Sequence, residues 1–315
     1  MKTISIVVPN YNDGEIAPIL YQRIRASLKK DFSKFNWELI YVDDGSSDNS
    51  LTILKKLHLT DKRVKVIQFS RNFGHHIAIT AGLDFAKGDY IVMMDGDLQD
   101  RPEDIYLLFE KLQEGFDVVY GIRANKKFGF FKKLTSDLFN WFMHFMIQEN
   151  IVINSTIFRI ITRQVKEDLC RLRESNRYVV GLIGWIGYQH AGQVVTHSNR
   201  LSGESKYSFF KQIQLAMNAI TSFTDYPLKL ASRLGFSMVF ISGILTIYIL
   251  MKKFIYNTPL IGWTSLVVAI LFLNGIQMII LGIVGEYLGR NYLESKHRPL
   301  YIVNKTFGVK KHVPN

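Results

Sequence analysis

The chain has a single cysteine, Cys170, in 315 residues. It therefore makes no internal disulfide and no cysteine-rich zinc site, which fits a reducing compartment. No Gly-x-Gly-x-x-Gly follows the first strand-like run and no Gly-Lys-Ser/Thr loop occurs, so the usual dinucleotide and P-loop phosphate cradles are missing. A secretory signal is not expected either: "MKTISIVVPNYN" has only a short apolar run before Pro9 and reads as a first strand. The formal charge of +12 is not arranged as a basic stripe interleaved with aromatics, which argues against nucleic acid as the partner.

That charge is better explained by a membrane surface. With 48% hydrophobic residues the chain can bury a sizeable core, and its last third is the most apolar part. Residues 234–251, "LGFSMVFISGILTIYILM", carry no charge, and neither do residues 263–285, "WTSLVVAILFLNGIQMIILGIVG". Both are near the length of about 20 residues that crosses a bilayer, so two transmembrane helices are expected. Asn274 and Gln277 are polar exceptions one turn apart, and a hydrogen bond to the other helix or to a neighbouring subunit would satisfy them. Lys229 and Arg233 precede the first run, and Arg290, Lys296, Arg298, Lys305, Lys310 and Lys311 follow the second. Only Lys252 and Lys253 lie between, so the positive-inside rule puts both termini in the cytoplasm. Residues 207–223 place Phe210, Ile213, Ala216, Met217 and Ile220 at helical spacing, which suits a helix in the membrane interface or one facing a core.

The first 230 residues alternate between strand-like and helix-like patterns. "ISIVVP" precedes a helical pattern over 18–30, "WELIYVDD" one near 50–57 and "VKVIQFS" one near 76–86, with "YIVMMD" following. This predicts an α/β fold with a doubly wound, mostly parallel sheet. In such sheets ligands gather at the carboxyl ends of the strands. The clusters "PNYND", "DDGSSDNS", "SRNFGHH" and "DGDLQD" fall at those four ends and converge on one crevice.

The fourth cluster has the clearest chemistry. Asp95 and Asp97 flank Gly96, and Gln99 adds a neutral oxygen two residues on. Hard oxygen donors suit Mg²⁺ or Mn²⁺, which are often shared with substrate phosphates. An Asp-Gly-Asp sequence is also ordinary turn chemistry; its company at the other strand ends makes it a metal candidate. A metal on paired aspartates, with basic side chains opposite, would replace the missing glycine-rich cradle. Ser46, Ser47, Asp48 and Ser50 read as an N-cap cluster for the next helix. His75 and His76 suit either a diphosphate contact or packing at a helix start.

Taken together, "VVPNYND", "YVDDGSSDNS", "SRNFGHHIAITAGLDFAKGDYIVMMDGDLQDRPEDI" and "NRLSGESKYS" resemble the family 2 glycosyltransferases of GT-A fold. The likeness is strongest to the polyprenyl-phosphate branch, which includes dolichyl-phosphate mannose synthases and bactoprenol glucosyltransferases. It extends through "NGIQMIILGIVGEYLGRNYLESKHRPLY" in the membrane segment. The resemblance implies that Asp95, Asp97 and Gln99 hold the metal, and that Pro9, Tyr11, Asn12, Asp43 and Asp44, with Asp95, bind the nucleotide. Asn12 stands where many relatives have Glu. Arg123, Lys132, Ser136, Arg200, Ser205 and Lys206 are implied as acceptor-phosphate or donor-diphosphate contacts, with Arg123 and Arg200 joining the two aspartates in catalysis. Lys132 replaces the Arg of some relatives and loses its bidentate fork. Ile157 occupies the place of an Asp that has been suggested as a base.

The expected function is inverting transfer of a sugar from a nucleotide diphosphate, a UDP-sugar above all, to polyprenyl (undecaprenyl) phosphate at the inner, cytoplasmic membrane. Another membrane-associated acceptor, or a non-catalytic nucleotide-sugar-binding role, are the alternatives. A processive polysaccharide synthase is disfavoured, because none of Trp37, Trp141, Trp185 or Trp263 follows an Arg, as a Gln-x-x-Arg-Trp signature requires. The expected division is a cytoplasmic GT-A catalytic domain over 1–206, an amphipathic juxtamembrane segment over 207–232, two transmembrane helices over 233–289 and a basic tail over 290–315, with self-association through the helices.

Overall fold

The computed structural model describes residues 1–123, 157–196, 226–256 and 262–310. They fall into two compact units: residues up to 208 together with those from 298 onward form one, and residues 209–297 the other.

In the first unit the expected alternation appears as β1 (Thr3–Asn10), α1 (Ala17–Asp31), β2 (Asn36–Asp43), α2 (Ser50–Thr60), β3 (Val64–Phe69), α3 (His75–Phe85) and β4 (Tyr90–Met93). A short 3₁₀ turn (Pro102–Asp104) leads into α4 (Ile105–Gln113) and β5 (Val118–Arg123). Then follow β6 (Arg159–Thr162), α5 (Arg163–Arg171), α6 (Val179–Trp185), β7 (His190–Val195) and, from the far end of the chain, β8 (Val303–Phe307). The eight strands form one sheet in the order β7-β5-β6-β4-β1-β2-β3-β8.

The centre of the sheet is parallel: β1 pairs with β2 and β4, and β2 with β3. Strands covered on both faces need no polar alternation, and every residue of β1 from Ile4 to Asn10 is buried. On one face Ile4, Ile6 and Val8 pack with Leu20, Ile24 and Leu28 of α1. On the other, α3 lies so close that a Cβ on Gly82 would collide with Val7 Cγ1. α1 carries a proline in its first turn and Lys29 and Lys30 in its last, as helix geometry and the macrodipole favour.

Two strands depart from the parallel pattern. β6 runs antiparallel between β4 and β5, bringing Arg159 level with Met93 and Tyr120. β8 pairs antiparallel with β3 and closes that edge of the sheet. The segment expected to be a basic tail therefore contributes a strand, with Tyr301 and Val303 buried.

In the second unit, α7 (Tyr226–Tyr256) and α8 (Trp263–Ser295) are both long and apolar enough to cross a membrane, and almost none of either apolar span is buried. At 1.5 Å per residue they extend about 46 and 50 Å, beyond the roughly 30 Å of a bilayer core. α7 begins at Tyr226, ahead of the uncharged run, and it includes Lys252 and Lys253 in its final turns. Asn274 and Gln277 are exposed on α8, so neither is buried against α7. The juxtamembrane stretch 207–225 lies outside the described residues.

Candidate active site

Because β1, β2, β3 and β4 are parallel, Asn10, Asp43, Phe69 and Met93 end at one edge of the sheet. β5 also runs to that edge and delivers the backbone of Arg123 there, paired with Val195 of β7. The loops that follow these strands carry the polar clusters.

Beyond β1, Pro9 is buried while Tyr11 is 47% exposed, leaving an aromatic face at the rim. Asn12 adopts a left-handed backbone with φ of 55°. Its backbone N–H donates to Ser46 Oγ at 3.0 Å, and its Oδ1 accepts from the Ser47 backbone N–H at 2.9 Å. Thus Ser46 and Ser47 brace the first loop rather than cap α2. The N-cap residue of α2, Asn49, makes no side-chain cap bond; Asp48 before it accepts the Ser50 N–H through Oδ1 at 3.0 Å.

The two aspartates at the end of β2, Asp43 within it and Asp44 just beyond, are both buried but differ in occupation. Asp44 accepts from the backbone N–H groups of Phe73 at 2.7 Å and Gly74 at 3.0 Å, which ties it to the loop before α3. Asp43 accepts from Ser46, the backbone N–H lying at 3.3 Å, and its Oδ2 is buried with no hydrogen-bond partner among the described residues. Opposite it in register, Asn10 Nδ2 is a buried donor in the same condition. Burial raises both carboxyls above the usual range, more than their backbone hydrogen bonds offset. Between these loops, a cavity of about 550 Å³ is lined by 12–16 and by Asp48 and Asn49. Its acids, Asp13, Glu15 and Asp48, make it a poor seat for phosphates.

After β4 the chain turns sharply. Leu98 has φ of 61° and is buried, while Asp97 Oδ1 accepts from the Gln99 N–H at 3.1 Å, closing an Asx turn. Gly96 brings this turn against β1: a Cβ there would stand 3.1 Å from the Pro9 carbonyl oxygen. Asp95, Asp97 and Gln99 are half-buried. The donor set, two carboxylates and an amide oxygen partly open to solvent, fits Mg²⁺ or Mn²⁺. Among the described residues no three His, Cys, Asp or Glu side chains converge as a metal cage. A cation here would therefore draw further ligands from phosphate and water, which is how Mg²⁺ is commonly held.

His75, the first residue of α3, places Nε2 3.2 Å from Asp95 Oδ1. Desolvation by the surrounding loops works against its charge, but the contact with Asp95 and the charges of Asp95, Asp44 and Asp97 outweigh it and raise the imidazole above its ordinary pKa. His76 behaves oppositely. Burial, with His75 and Arg159 nearby, lowers it to about 4, and its ring packs edge-on to Tyr178 at 5.2 Å. One residue was not singled out in the sequence: Arg159, a guanidinium 3% exposed and lowered to about 10 by burial. An arginine inside the apolar run "IFRII" was the available signal. Ile157 lies just before it, at the same edge. Lys132, Ser136, Arg200, Ser205 and Lys206 lie outside the described residues.

Comparison with known proteins identifies the family. Residues 5–169 match the model of glycosyl transferase family 2. The chain belongs to that family. Over 306 residues it is 44% identical to the uncharacterized glycosyltransferase YkcC of Bacillus subtilis, covering 97% of this chain and 94% of that one. Over 301 residues it is 36% identical to the bactoprenol glucosyl transferase of Shigella phage SfV, covering 95% and 97%. Among solved structures, glucosyl-3-phosphoglycerate synthase from Mycobacterium tuberculosis, in complex with Mn²⁺, UDP and glucosyl-3-phosphoglycerate, superposes with a TM-score of 0.52 at 17% identity, covering 70% of this chain and 78% of that one. That likeness concerns the fold. This family 2 glycosyltransferase has the GT-A architecture, with a mostly parallel core sheet and two long apolar helices near its C-terminus.

Proposed function

We propose that this glycosyltransferase moves a sugar, with inversion, from a UDP-sugar to polyprenyl phosphate at the cytoplasmic face of the membrane. The observation that carries the reading is the similarity to a bactoprenol glucosyl transferase over 95% of the chain, helices included, in a protein whose acidic turn sits at the carboxyl edge of the sheet.

The donor diphosphate would lie at Asp95, Asp97 and Gln99. A bound Mg²⁺ or Mn²⁺ would neutralise charge on the departing nucleotide. His75 holds Asp95 from the side of α3. For the base, Asp43 Oδ2 and Asn10 Nδ2 supply an adjacent acceptor and donor. A uracil edge, one N–H between two carbonyls, matches that chemistry. Tyr11 offers an exposed ring for stacking at the rim.

The acceptor needs no protein base. A phosphate monoester has its second pKa near 6 and is anionic at neutral pH, so its oxygen can attack the anomeric carbon as the bond to the diphosphate breaks. An apolar Ile157 beside Arg159 is compatible with that chemistry. Arg123, and Lys132, Ser136, Arg200, Ser205 and Lys206, are proposed for the two phosphates.

The topology is supported by connectivity. The chain leaves the catalytic unit before α7 and rejoins it after α8, where β8 pairs with β3. If α7 and α8 cross a bilayer as a hairpin, both ends must return to one side, and the flanking Lys and Arg make that side the cytoplasm.

The test is transfer of radiolabel into an organic extract by the detergent-purified chain, with a panel of nucleotide sugars, with and without undecaprenyl phosphate. Label that enters the extract only with the lipid, and from a UDP donor, supports the reading; label requiring a GDP donor or a different acceptor overturns it.

A further inference from the structure

Helix α3 is gripped at both ends. At its start Asp44 receives the Phe73 and Gly74 N–H groups, and His75 meets Asp95. Near its finish the Asp84 carboxylate, 2% exposed, accepts two hydrogen bonds from Arg173 at 2.9 and 3.0 Å and a third from the Tyr301 hydroxyl at 2.7 Å. Tyr301 comes six residues after the last residue of α8, Ser295.

The same tyrosine also touches the other end of the loop that leads into α3. Its ring stacks on Phe69 at 5.1 Å and 19°, and Phe69 meets Phe73 edge-on at 5.5 Å. Next to it the Ile302 carbonyl accepts the Ser70 N–H at 3.0 Å, continuing the β8–β3 pairing. So the first residues after the helical hairpin hold both the strand end before the 70–74 loop and the far end of the helix after it. An α-helix of 11 residues transmits a shift of one end to the other, because its backbone hydrogen bonds resist local bending.

We propose that Tyr301 is a positioning residue for the donor site: through Phe69 and Asp84 it fixes the 70–74 loop and α3, and so sets His75 and Asp44 in place around Asp95. The segment that closes the membrane hairpin thereby becomes part of the support of the metal–diphosphate site. This inference rests on the proposed role of Asp95.

The experiment compares the full-length wild type, Tyr301→Phe and Tyr21→Phe in detergent. Tyr21 also loses a buried-side hydroxyl hydrogen bond, to Asp61 at 2.9 Å, but on α1. Free Mn²⁺ is titrated by electron paramagnetic resonance in the presence of UDP, amide hydrogen exchange is followed over 70–76, and thermal unfolding is recorded for each protein. Tyr301→Phe is expected to weaken Mn²⁺–UDP binding about two- to tenfold, the range for one hydrogen bond, and to speed exchange over 70–76. Tyr21→Phe should change neither while lowering the melting temperature. Unchanged affinity and exchange in Tyr301→Phe, or equal losses in Tyr21→Phe, overturn the proposal. If the wild type binds no Mn²⁺ with UDP, the metal reading of Asp95 fails, and faster or unchanged exchange over 70–76 alone decides whether Tyr301 holds that loop.

Discussion

Asn12, whose own φ is 55°, accepts the Ser47 N–H at 2.9 Å through its Oδ1. The bond joins the loop after β1 to the loop after β2, the two segments implied in nucleotide binding. Position 12 thus has a conformational requirement, since Asn tolerates the left-handed region better than most residues.

Two substitutions separate these effects. Asn12→Gly loses the side-chain bond but keeps the backbone at ease, whereas Asn12→Ala loses the bond and strains the backbone. Asn12→Ala should be the less stable of the two by about 1 kcal/mol, read as a difference in denaturant midpoint. Equal stabilities would show that φ at this position relaxes freely.

Asp44 offers both oxygens to backbone donors, Phe73 at 2.7 Å and Gly74 at 3.0 Å. Asparagine has one acceptor oxygen and would turn its NH₂ toward an N–H. Asp44→Asn should cost about 1–3 kcal/mol of stability and weaken UDP binding, measured by calorimetry. Unaltered stability would mean that the loop before α3 is held without Asp44.

Asp61 gives a pH signature remote from the site. Its hydrogen bonds from the Arg63 side chain, chiefly, and then from the Arg63 backbone and Tyr21, overcome burial and hold the carboxyl at about 2, against an ordinary 3.8. The folded pKa lies below the unfolded one, so the stabilisation is complete above the unfolded value and is lost as pH falls toward 2. Asp61→Asn should therefore be less stable than wild type at pH 6, with the gap narrowing at pH 3. A gap that is constant with pH would assign the loss to packing.

The central half of the fold was legible because its signals are local. Buried parallel strands show as apolar runs, "ISIVVP" and "YIVMMD", and each is followed by a helical pattern. Likewise, a carboxyl-edge crevice follows from parallel order alone, so the neighbourhood of "PNYND", "DDGSSDNS", "SRNFGHH" and "DGDLQD" could be inferred without a structure. Long-range pairing could not. β8 joins β3 across more than two hundred residues, and "VNKTF" alone is too short and too polar to announce a strand. Occupation of side chains was equally hidden: the adjacent Asp43 and Asp44 read alike in sequence, yet one carboxylate is taken up by the backbone of 73 and 74 and the other keeps an open oxygen. The burial of Arg159 depends on an antiparallel strand inserted between β4 and β5, a tertiary fact.

The central claim is that the acidic turn supports sugar transfer to a lipid phosphate, and mass spectrometry of the lipid product tests it most directly. Purified protein is incubated in detergent with undecaprenyl phosphate, Mg²⁺ or Mn²⁺ and a panel of UDP-sugars, beside Asp97→Ala and a sample treated with EDTA. The account predicts one new species, the lipid phosphate plus a single sugar, made by the wild type with metal and absent from both other samples. A wild type that makes no glycosylated lipid from any donor, or an Asp97→Ala variant that makes as much as the wild type, would contradict it.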